Sequence, residues 1–160
     1  MSFAGAWARP YGGVAAATLV ALSFSIMAFS GAAQADQPVI LTPDAIEWHA
    51  VGDAGMQVAI VQGDPATPGP YSMLIKVPAA LQIPPHSHPD AFRTSVVISG
   101  VFHFAFGDAW DEAALQPFDP GAVWTEPPGA NHFAWARDGE VVALLTAIGP
   151  TGSTPVAPAN

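Results

Sequence analysis

Three histidines have the spacing of a metal site. His86 and His88 are separated by one residue, so in an extended strand, where side chains alternate between faces, both imidazoles point to the same side. His132 begins a second extended segment, directly after a Pro-Pro-Gly turn at residues 127–129. Neutral imidazole is a common ligand of transition metals. The His-x-His pair is therefore half of a candidate metal site, and the turn before His132 favours this histidine as a further ligand of one divalent transition metal, with zinc, iron, copper, manganese or nickel open as its identity.

Two acids and one arginine lie near these histidines in the sequence. Glu126 or Asp90 would supply a fourth ligand or a general base; the alternative is that both are acids of a turn or of the surface. Arg93 pointing inward would offer its planar guanidinium to a substrate carboxylate, whereas Arg93 pointing outward would pair with an acid such as Asp90. Both alternatives stay open, and Glu126 and Arg93 are candidate catalytic residues.

His103 is the third candidate catalytic residue. It lies in an alternating segment in which Phe102, Phe104 and Phe106 share one strand face and His103 takes the other. The phenylalanine stripe is typical of a core. His103 either lines the cavity and moves protons or is an ordinary structural histidine.

Short extended segments must position these residues. Eight runs are rich in branched or aromatic side chains and are bounded by Gly, Pro or Asp, which predicts eight β-strands. They cover residues 45–51, 56–62, 71–77, 92–99, 101–106, 122–126, 132–136 and 141–148. One helical turn is predicted at residues 111–115, and residues 150–160, rich in Pro, Ser, Thr and Gly, are expected to form a flexible C-terminal tail. Regular short strands favour an all-β sandwich or barrel.

Two segments resemble the motifs of the cupin superfamily. Residues 84–100 resemble the first motif in two histidines and a closing glycine, and residues 121–132 resemble the second in its glycines, proline and histidine. The matching residues are His86, His88, Gly100, Gly121, Pro127, Gly129 and His132. The resemblance implies a double-stranded β-helix, or jelly-roll, cupin barrel over residues 36–149, with the three histidines meeting inside it.

Two positions depart from the cupin pattern. Arg93 stands where the family commonly places a metal-binding glutamate, five residues after the second histidine, and a guanidinium cannot ligate a metal. Ala136 stands where the family has an asparagine, four residues after the third histidine. Three imidazoles with water still make a competent zinc or iron site.

Two classes of function remain open. The first is a metal-dependent enzyme acting on a small, carboxylate-bearing molecule; because the superfamily contains oxygenases with three-histidine iron, the resemblance implies a dioxygenase-type oxidoreductase as its most specific form. The second is a non-catalytic cupin that binds or senses a metal or ligand. A structural barrel with vestigial histidines is the alternative to both. The family often pairs through its sheets, so a homodimer is an open expectation.

The composition excludes several other classes. The chain has 160 residues, no cysteine and a formal net charge of −9. It therefore lacks disulfides and thiolate ligands, and the excess of 13 acids over 4 bases disfavours nucleic-acid binding. The sequence contains no phosphate-binding loop, dinucleotide fingerprint or serine-hydrolase elbow.

The first 35 residues have the pattern of a secretory signal peptide. A segment with Arg9 precedes an apolar run at residues 14–29, and Ala33 and Ala35 stand at the cleavage spacing. The run is shorter than the ~20 residues that span a membrane. We predict a signal peptide at residues 1–35, a periplasmic or secreted location and no stable membrane anchor after cleavage; an uncleaved anchor is the alternative.

Overall fold

The computed structural model describes residues 38–157, which form eleven β-strands and two short 3-10 turns. The strands are β1 (His49–Val51), β2 (Met56–Gln62), β3 (Gly69–Val77), β4 (Gln82–Ser87), β5 (Phe92–Ser99), β6 (Phe102–Phe106), β7 (Gln116–Phe118), β8 (Val123–Thr125), β9 (His132–Trp135), β10 (Val141–Gly149) and β11 (Thr154–Pro155). The 3-10 turns are Pro43–Ala45 and Glu112–Ala114, and the second lies inside the predicted helical turn. Within residues 38–157, no helix has the length and apolarity needed to cross a membrane.

The strands form two antiparallel sheets that face each other. One sheet has the order β1-β2-β3-β10-β5-β8, and the other has the order β11-β4-β9-β6-β7. Buried side chains from both sheets, among them Val77, Val141, Phe104 and Ala134, pack into one hydrophobic core. The prediction of an all-β barrel is confirmed, whereas the predicted signal peptide at residues 1–35 lies outside the described residues.

Alternation along β5 places charge inside the barrel. Its buried positions are Arg93, Ser95 and Val97, and alternate residues of a strand share one face. The neighbouring strand β8 ends at Thr125, and the backbone N–H of Glu126 donates to the carbonyl of Arg93 at 3.1 Å. Arg93 and Glu126 therefore start from adjacent points of one sheet.

Strand β4, which carries the first histidine, was not among the predicted strands. It contains two adjacent prolines, which lack the N–H of a sheet ladder and are rare inside strands. Between the pair Ile83–Ala134 and the pair His86–His132, β4 advances three residues while β9 advances two. The prolines lie in this β-bulge, where no regular ladder hydrogen bond is required. The short strands β7 and β11 were likewise not predicted.

Residues 150–157 form a strap along the barrel, which corrects the prediction of a flexible tail at residues 150–160. Its strand β11 pairs with β4. The backbone N–H of Thr151 donates to the carbonyl of Pro65 at 2.8 Å, and that of Val156 donates to the carbonyl of Pro85 at 3.0 Å. A polar segment is held in place when its backbone groups find partners, and here the loop before β3 and strand β4 supply them. Residues 158–160 lie outside the described residues.

Candidate metal centre

Three histidines meet inside the barrel. His86 in β4 lies opposite His132 in β9, and His88 follows directly after β4. The imidazole centroids are 4.3 Å apart for His86 and His132 and 4.8 Å apart for His86 and His88. One ring nitrogen from each of the three residues lies within 4.8 Å of the other two. The three predicted ligands are therefore close enough to hold a single metal ion.

Each imidazole is oriented by a hydrogen bond between its Nδ1 atom and a backbone carbonyl. The distances are 2.8 Å for His86 and Pro84, 2.6 Å for His88 and Gly152, and 3.0 Å for His132 and Ala130. Because a carbonyl oxygen only accepts, Nδ1 carries the proton, and the lone pair of Nε2 is left free. Histidines that bind metals usually have such a partner on the other ring nitrogen.

Burial keeps the three imidazoles neutral. It is the main cause that lowers the pKa of His86 to about 4, and the neighbouring His132 adds to this shift. Burial also lowers the pKa of His88, with a further contribution from the positive charge of Arg93. The pKa of His132 is lowered by burial, although Glu126 opposes that shift. At neutral pH the ring nitrogens that face one another thus present lone pairs, which is the state that metal binding requires.

Glu126 reaches the same cluster from the end of β8. Its Oε2 atom lies 3.6 Å from Nε2 of His132 and 3.9 Å from Nε2 of His88. Its Oε1 atom accepts a hydrogen bond from Nε1 of Trp124 at 2.8 Å, whereas Oε2 is buried and has no hydrogen-bond donor among the described residues. The side chain is 6% exposed, so Glu126 is neither a surface acid nor a solvated turn acid.

Arg93 points inward but is paired with two carboxylates of the protein itself. Its Nη1 donates to Oδ2 of Asp90 at 3.2 Å. Its Nε lies 2.6 Å from Oε2 of Glu126, an ion-pair contact in which the N–H is not aimed at the oxygen. The structure thus has Arg93 in the inward orientation, with two of its guanidinium nitrogens already facing Asp90 and Glu126.

Asp90 is the centre of a buried polar network. Its Oδ1 accepts a hydrogen bond from the hydroxyl of Tyr71, and its Oδ2 accepts one from Oγ1 of Thr151 at 2.9 Å in addition to the one from Arg93. Burial, with the Asp90 hydrogen bond second, raises the pKa of Tyr71, so the phenol remains a donor at neutral pH. Both oxygens of Asp90, which is 1% exposed, are thus occupied, and Asp90 is not a free fourth ligand or base.

His103 lies on the other side of β6 from the histidine cluster. Phe102 and Phe104 line the cavity beside His132, whereas Nε2 of His103 accepts a hydrogen bond from Nη2 of Arg137 at 2.9 Å. The alternation correctly predicted that His103 lies on the face opposite the phenylalanines. Because the phenylalanines face the cavity, His103 faces away from it. The candidate role of His103 as a proton carrier in the cavity is therefore corrected.

A largely apolar cavity of about 120 Å³ adjoins the histidines. Side chains from both sheets line it, including Met73, Leu145, Phe104 and Trp124. Ala134, two residues after His132 on the same strand face, also lines the cavity and takes up little of its space. An engineered apolar cavity of roughly 150 Å³ binds benzene, so the present cavity suits a molecule of similar size.

The donor set fits a divalent transition metal. Neutral imidazole nitrogens with a carboxylate oxygen close by are ligands that zinc, iron, manganese, nickel and copper accept. The formal charges of Asp90, Arg93 and Glu126 are −1, +1 and −1, which sum to −1 in a buried cluster. Lone pairs of three imidazoles and one carboxylate oxygen that face one another repel unless a cation lies between them. A divalent cation would offset both the net negative charge and the repulsion between these lone pairs.

Three residues that position the site were not predicted from the sequence. Two of them lie in the predicted tail, and the third lies in a predicted strand. Thr151 and Gly152 lie in a segment whose composition indicated flexibility, and Tyr71 lies in a strand where a tyrosine is ordinary core. A signal for Tyr71 exists only in the structure, because a buried hydroxyl needs a partner and the partner is distant in sequence.

Comparison with known proteins identifies the family. The sequence model of the ChrR cupin-like domain matches residues 36–152. The chain belongs to this cupin family. Germin-like protein 9-3 of Oryza sativa subsp. japonica is 28% identical over 79 residues, which span 49% of this chain and 36% of that protein. The resemblance to cupins inferred from the two motifs is confirmed.

Solved structures share the cupin fold at low sequence identity. The polyketide cyclase RemF from Streptomyces resistomycificus superposes with a TM-score of 0.63 at 15% identity, covering 78% of this chain and 89% of that chain. The structure of Rhodobacter sphaeroides SigE in complex with the anti-sigma ChrR matches with a TM-score of 0.50 at 19% identity, covering 68% of this chain and 51% of that chain. At these identities the similarity establishes the fold alone.

Proposed function

We propose that the cupin binds one divalent transition metal through His86, His88 and His132 and holds a small molecule in the cavity beside it. The observation that carries the proposal is the engagement of each Nδ1 atom by a carbonyl, which leaves each Nε2 lone pair free in a shared interior space. When bound, the metal supplies a Lewis acid for a ligand oxygen or a water molecule. The protein holds the imidazoles neutral and oriented, and mostly apolar side chains line the cavity beside them.

Metal content tests this proposal. Protein purified from the periplasm is expected to carry close to one equivalent of metal by elemental analysis, and the double substitution His86→Ala with His132→Ala is expected to abolish it. His49→Ala, which removes a histidine far from the cluster in sequence, is the matched control and is expected to keep the metal. Full metal content in the double variant would remove these residues from the site.

The ligand that the cavity favours is mostly apolar, about the size of benzene, and carries one anionic oxygen donor. The walls supply the apolar contacts. With a divalent ion, the net charge of −1 on Asp90, Arg93 and Glu126 becomes +1, which a monoanion such as a phenolate or a carboxylate neutralises. The donor would be oriented by the metal, because Arg93 is already paired.

The enzymatic form of this proposal is a dioxygenase-type oxidoreductase. Three histidine ligands leave coordination positions open, which oxygen-activating iron enzymes require. Iron-loaded protein would be screened for oxygen uptake with small phenols and with aromatic and thiol carboxylates, with zinc-loaded protein as the control. Uptake coupled to product formation only with iron supports the enzyme. Binding of these compounds without any turnover supports a binding function instead.

A non-catalytic sensing function is the second candidate, favoured by the match to the ChrR cupin-like model. In that case, metal or ligand occupancy would alter a surface read by a partner. The strap is suited to this role because Gly152 contacts His88 directly. Protection of the strap from proteolysis on metal binding would support sensing, and identical cleavage with and without metal would count against it.

We also propose that the protein is exported and then cleaved after Ala35. The support is the signal-peptide pattern of residues 1–35. The mass and N-terminal sequence of protein from a periplasmic fraction are expected to begin at Asp36, and a full-length chain in the membrane fraction would favour the uncleaved anchor. A homodimer stays a prediction, which size-exclusion chromatography with light scattering tests on the same sample.

A further inference from the structure

We infer that Glu126 supplies a fourth, carboxylate ligand to the metal and that Arg93 is the positioning residue for it. The inference rests on the proposed binding of metal by the three histidines. It is carried by a buried carboxylate oxygen that has no hydrogen-bond donor within residues 38–157 and lies close to the Nε2 atoms of His88 and His132.

The distances suit atoms that bind one ion. With metal–ligand bonds of about 2.1 Å, neighbouring ligand atoms are about 3.4 Å apart on a tetrahedral ion and about 3.0 Å apart on an octahedral one. Oε2 of Glu126 lies 3.6 Å from Nε2 of His132 and 3.9 Å from Nε2 of His88. For these two pairs of atoms, closing to ligand spacing takes side-chain movements of less than about 1 Å.

The two oxygens of Glu126 are used differently. Oε1 accepts the hydrogen bond from Trp124, which fixes the direction of the carboxylate. Oε2 is buried and receives no hydrogen bond from the described part of the chain, although buried polar atoms in folded proteins nearly always have a partner. Its closest cationic neighbour, Nε of Arg93 at 2.6 Å, does not direct its N–H toward it. A cation shared with the histidines would give Oε2 the partner that it lacks.

The buried carboxylate at this site comes from a different strand than in the cupin pattern. Arg93 occupies the position in β5 that commonly carries the metal-binding glutamate, and Glu126 follows the neighbouring strand β8. The two residues are joined by a backbone hydrogen bond of 3.1 Å, so their side chains enter the interior side by side. Arg93 faces Asp90 at 3.2 Å as well as Glu126, so the three groups together carry one net negative charge that a metal would offset. The site thus keeps a carboxylate, delivered from a different strand.

Cobalt binding to five variants of the mature chain tests this inference. The variants are Glu126→Gln, Arg93→Met, Arg93→Lys, the double substitution Glu126→Gln with Arg93→Met, and Glu112→Gln, which removes an exposed acid as the matched control. Co²⁺ affinity is measured by competition with a chromophoric chelator, and the d–d absorption spectrum reports the ligand set. Circular dichroism establishes that each variant folds. The double variant removes both charges of the Arg93–Glu126 pair and leaves Asp90 its hydrogen bonds from Tyr71 and Thr151.

If Glu126 is a ligand, Glu126→Gln weakens Co²⁺ binding by more than about 100-fold, beyond the 10- to 100-fold loss typical of outer partners, and changes the d–d spectrum. The double variant binds Co²⁺ as weakly as Glu126→Gln does, because removing the arginine does not replace an oxygen ligand. Arg93→Met keeps the carboxylate and loses less affinity than Glu126→Gln, and Arg93→Lys recovers part of that loss.

The contrary result is a double variant that binds Co²⁺ as tightly as the wild type with an unchanged spectrum. Glu126 would then serve only to neutralise Arg93, and the inference would be overturned. Failure of the underlying proposal is distinguishable, because the His86→Ala, His132→Ala variant would then keep its metal. Loss of metal in that histidine variant, together with normal binding by Glu126→Gln, overturns the role of Glu126 alone.

Discussion

His88 donates its Nδ1 hydrogen to the carbonyl oxygen of Gly152, 2.6 Å away and 64 residues later in the chain. Gly152 belongs to the strap of residues 150–157, whose Thr151 side chain also donates to Asp90. The strap therefore contacts the histidine cluster on one side and the buried carboxylate network on the other. The orientation of one proposed metal ligand depends on a segment that contributes only a two-residue strand to the sheets.

Removal of the strap is expected to weaken metal binding. A chain that ends at Gly149 loses the carbonyl that orients His88, and loss of such an outer partner typically costs about 10- to 100-fold in metal affinity. Isothermal titration with Zn²⁺ measures the change. A chain that ends at Ala157 is the control, since it lacks only residues beyond the strap. Equal affinity in both truncated chains would show that the His88–Gly152 hydrogen bond does not support the site.

Tyr71→Phe is expected to lower the free energy of unfolding of the metal-free protein by about 1–3 kcal/mol. The substitution removes one hydrogen-bond donor from Asp90, which is buried, while the ring still fills its place in the core. Urea unfolding measures the loss. Ser72→Ala, which removes a hydrogen bond at the solvent-exposed side of the same strand, is the control and should change stability by less than about 0.5 kcal/mol. If Tyr71→Phe and Ser72→Ala lower the free energy of unfolding by the same amount, the buried network has no special structural role.

The sequence predicted the strands rich in branched and aromatic residues and missed those whose backbone is irregular. Strand β5 was predicted from its composition, and in the structure its alternation puts Arg93 on the face of Val97. Strand β4 was not, because its two prolines are tolerated only where the register with β9 shifts. The strap was missed for a related reason: its hydrogen bonds go to a loop and a strand that are distant in sequence.

The sequence predicted the histidines of the site, but it did not predict which contacts their charged neighbours make. The His-x-His pair and the Pro-Pro-Gly turn before His132 are local features of the sequence. Side-chain alternation along a strand then puts both histidines of the pair on one face. Arg93, in contrast, finds Asp90 three residues earlier and Glu126 across the β5–β8 pair, and which of them it contacts depends on sheet register. Nor does local sequence distinguish the inner from the outer face of β6, which is why a cavity role and a structural role both stayed open for His103.

Ala134→Leu is expected to keep the metal and to lose the small-molecule ligand. The added side chain would fill much of the cavity of about 120 Å³, while its backbone lies two residues beyond His132 and coordinates nothing. Phenol titrated into Co²⁺-loaded protein reports binding through the d–d spectrum. Thr146→Leu, on the exposed face of β10, is the control for added bulk. Unchanged phenol binding by Ala134→Leu would place the ligand outside this cavity.

The metal-free protein is expected to lose stability as the pH falls from about 6.5 toward about 4. Burial lowers the pKa of His86 from 6.5 to about 4, and those of His88 and His132 are lowered as well. In this range the unfolded chain binds protons at these histidines and the folded chain does not, so the free energy of unfolding rises with pH. Urea midpoints at pH 4.5 and 7 measure the slope. His86→Asn should have a shallower slope, and identical slopes in the two proteins would contradict the assigned burial effect.

Anomalous X-ray diffraction from crystals of zinc-loaded protein tests the central claim most directly. Data collected on both sides of the zinc edge are expected to give one strong peak about 2.0–2.1 Å from the Nε2 atoms of His86, His88 and His132. A zinc-saturated crystal whose anomalous peak lies away from these three nitrogens would contradict the claim.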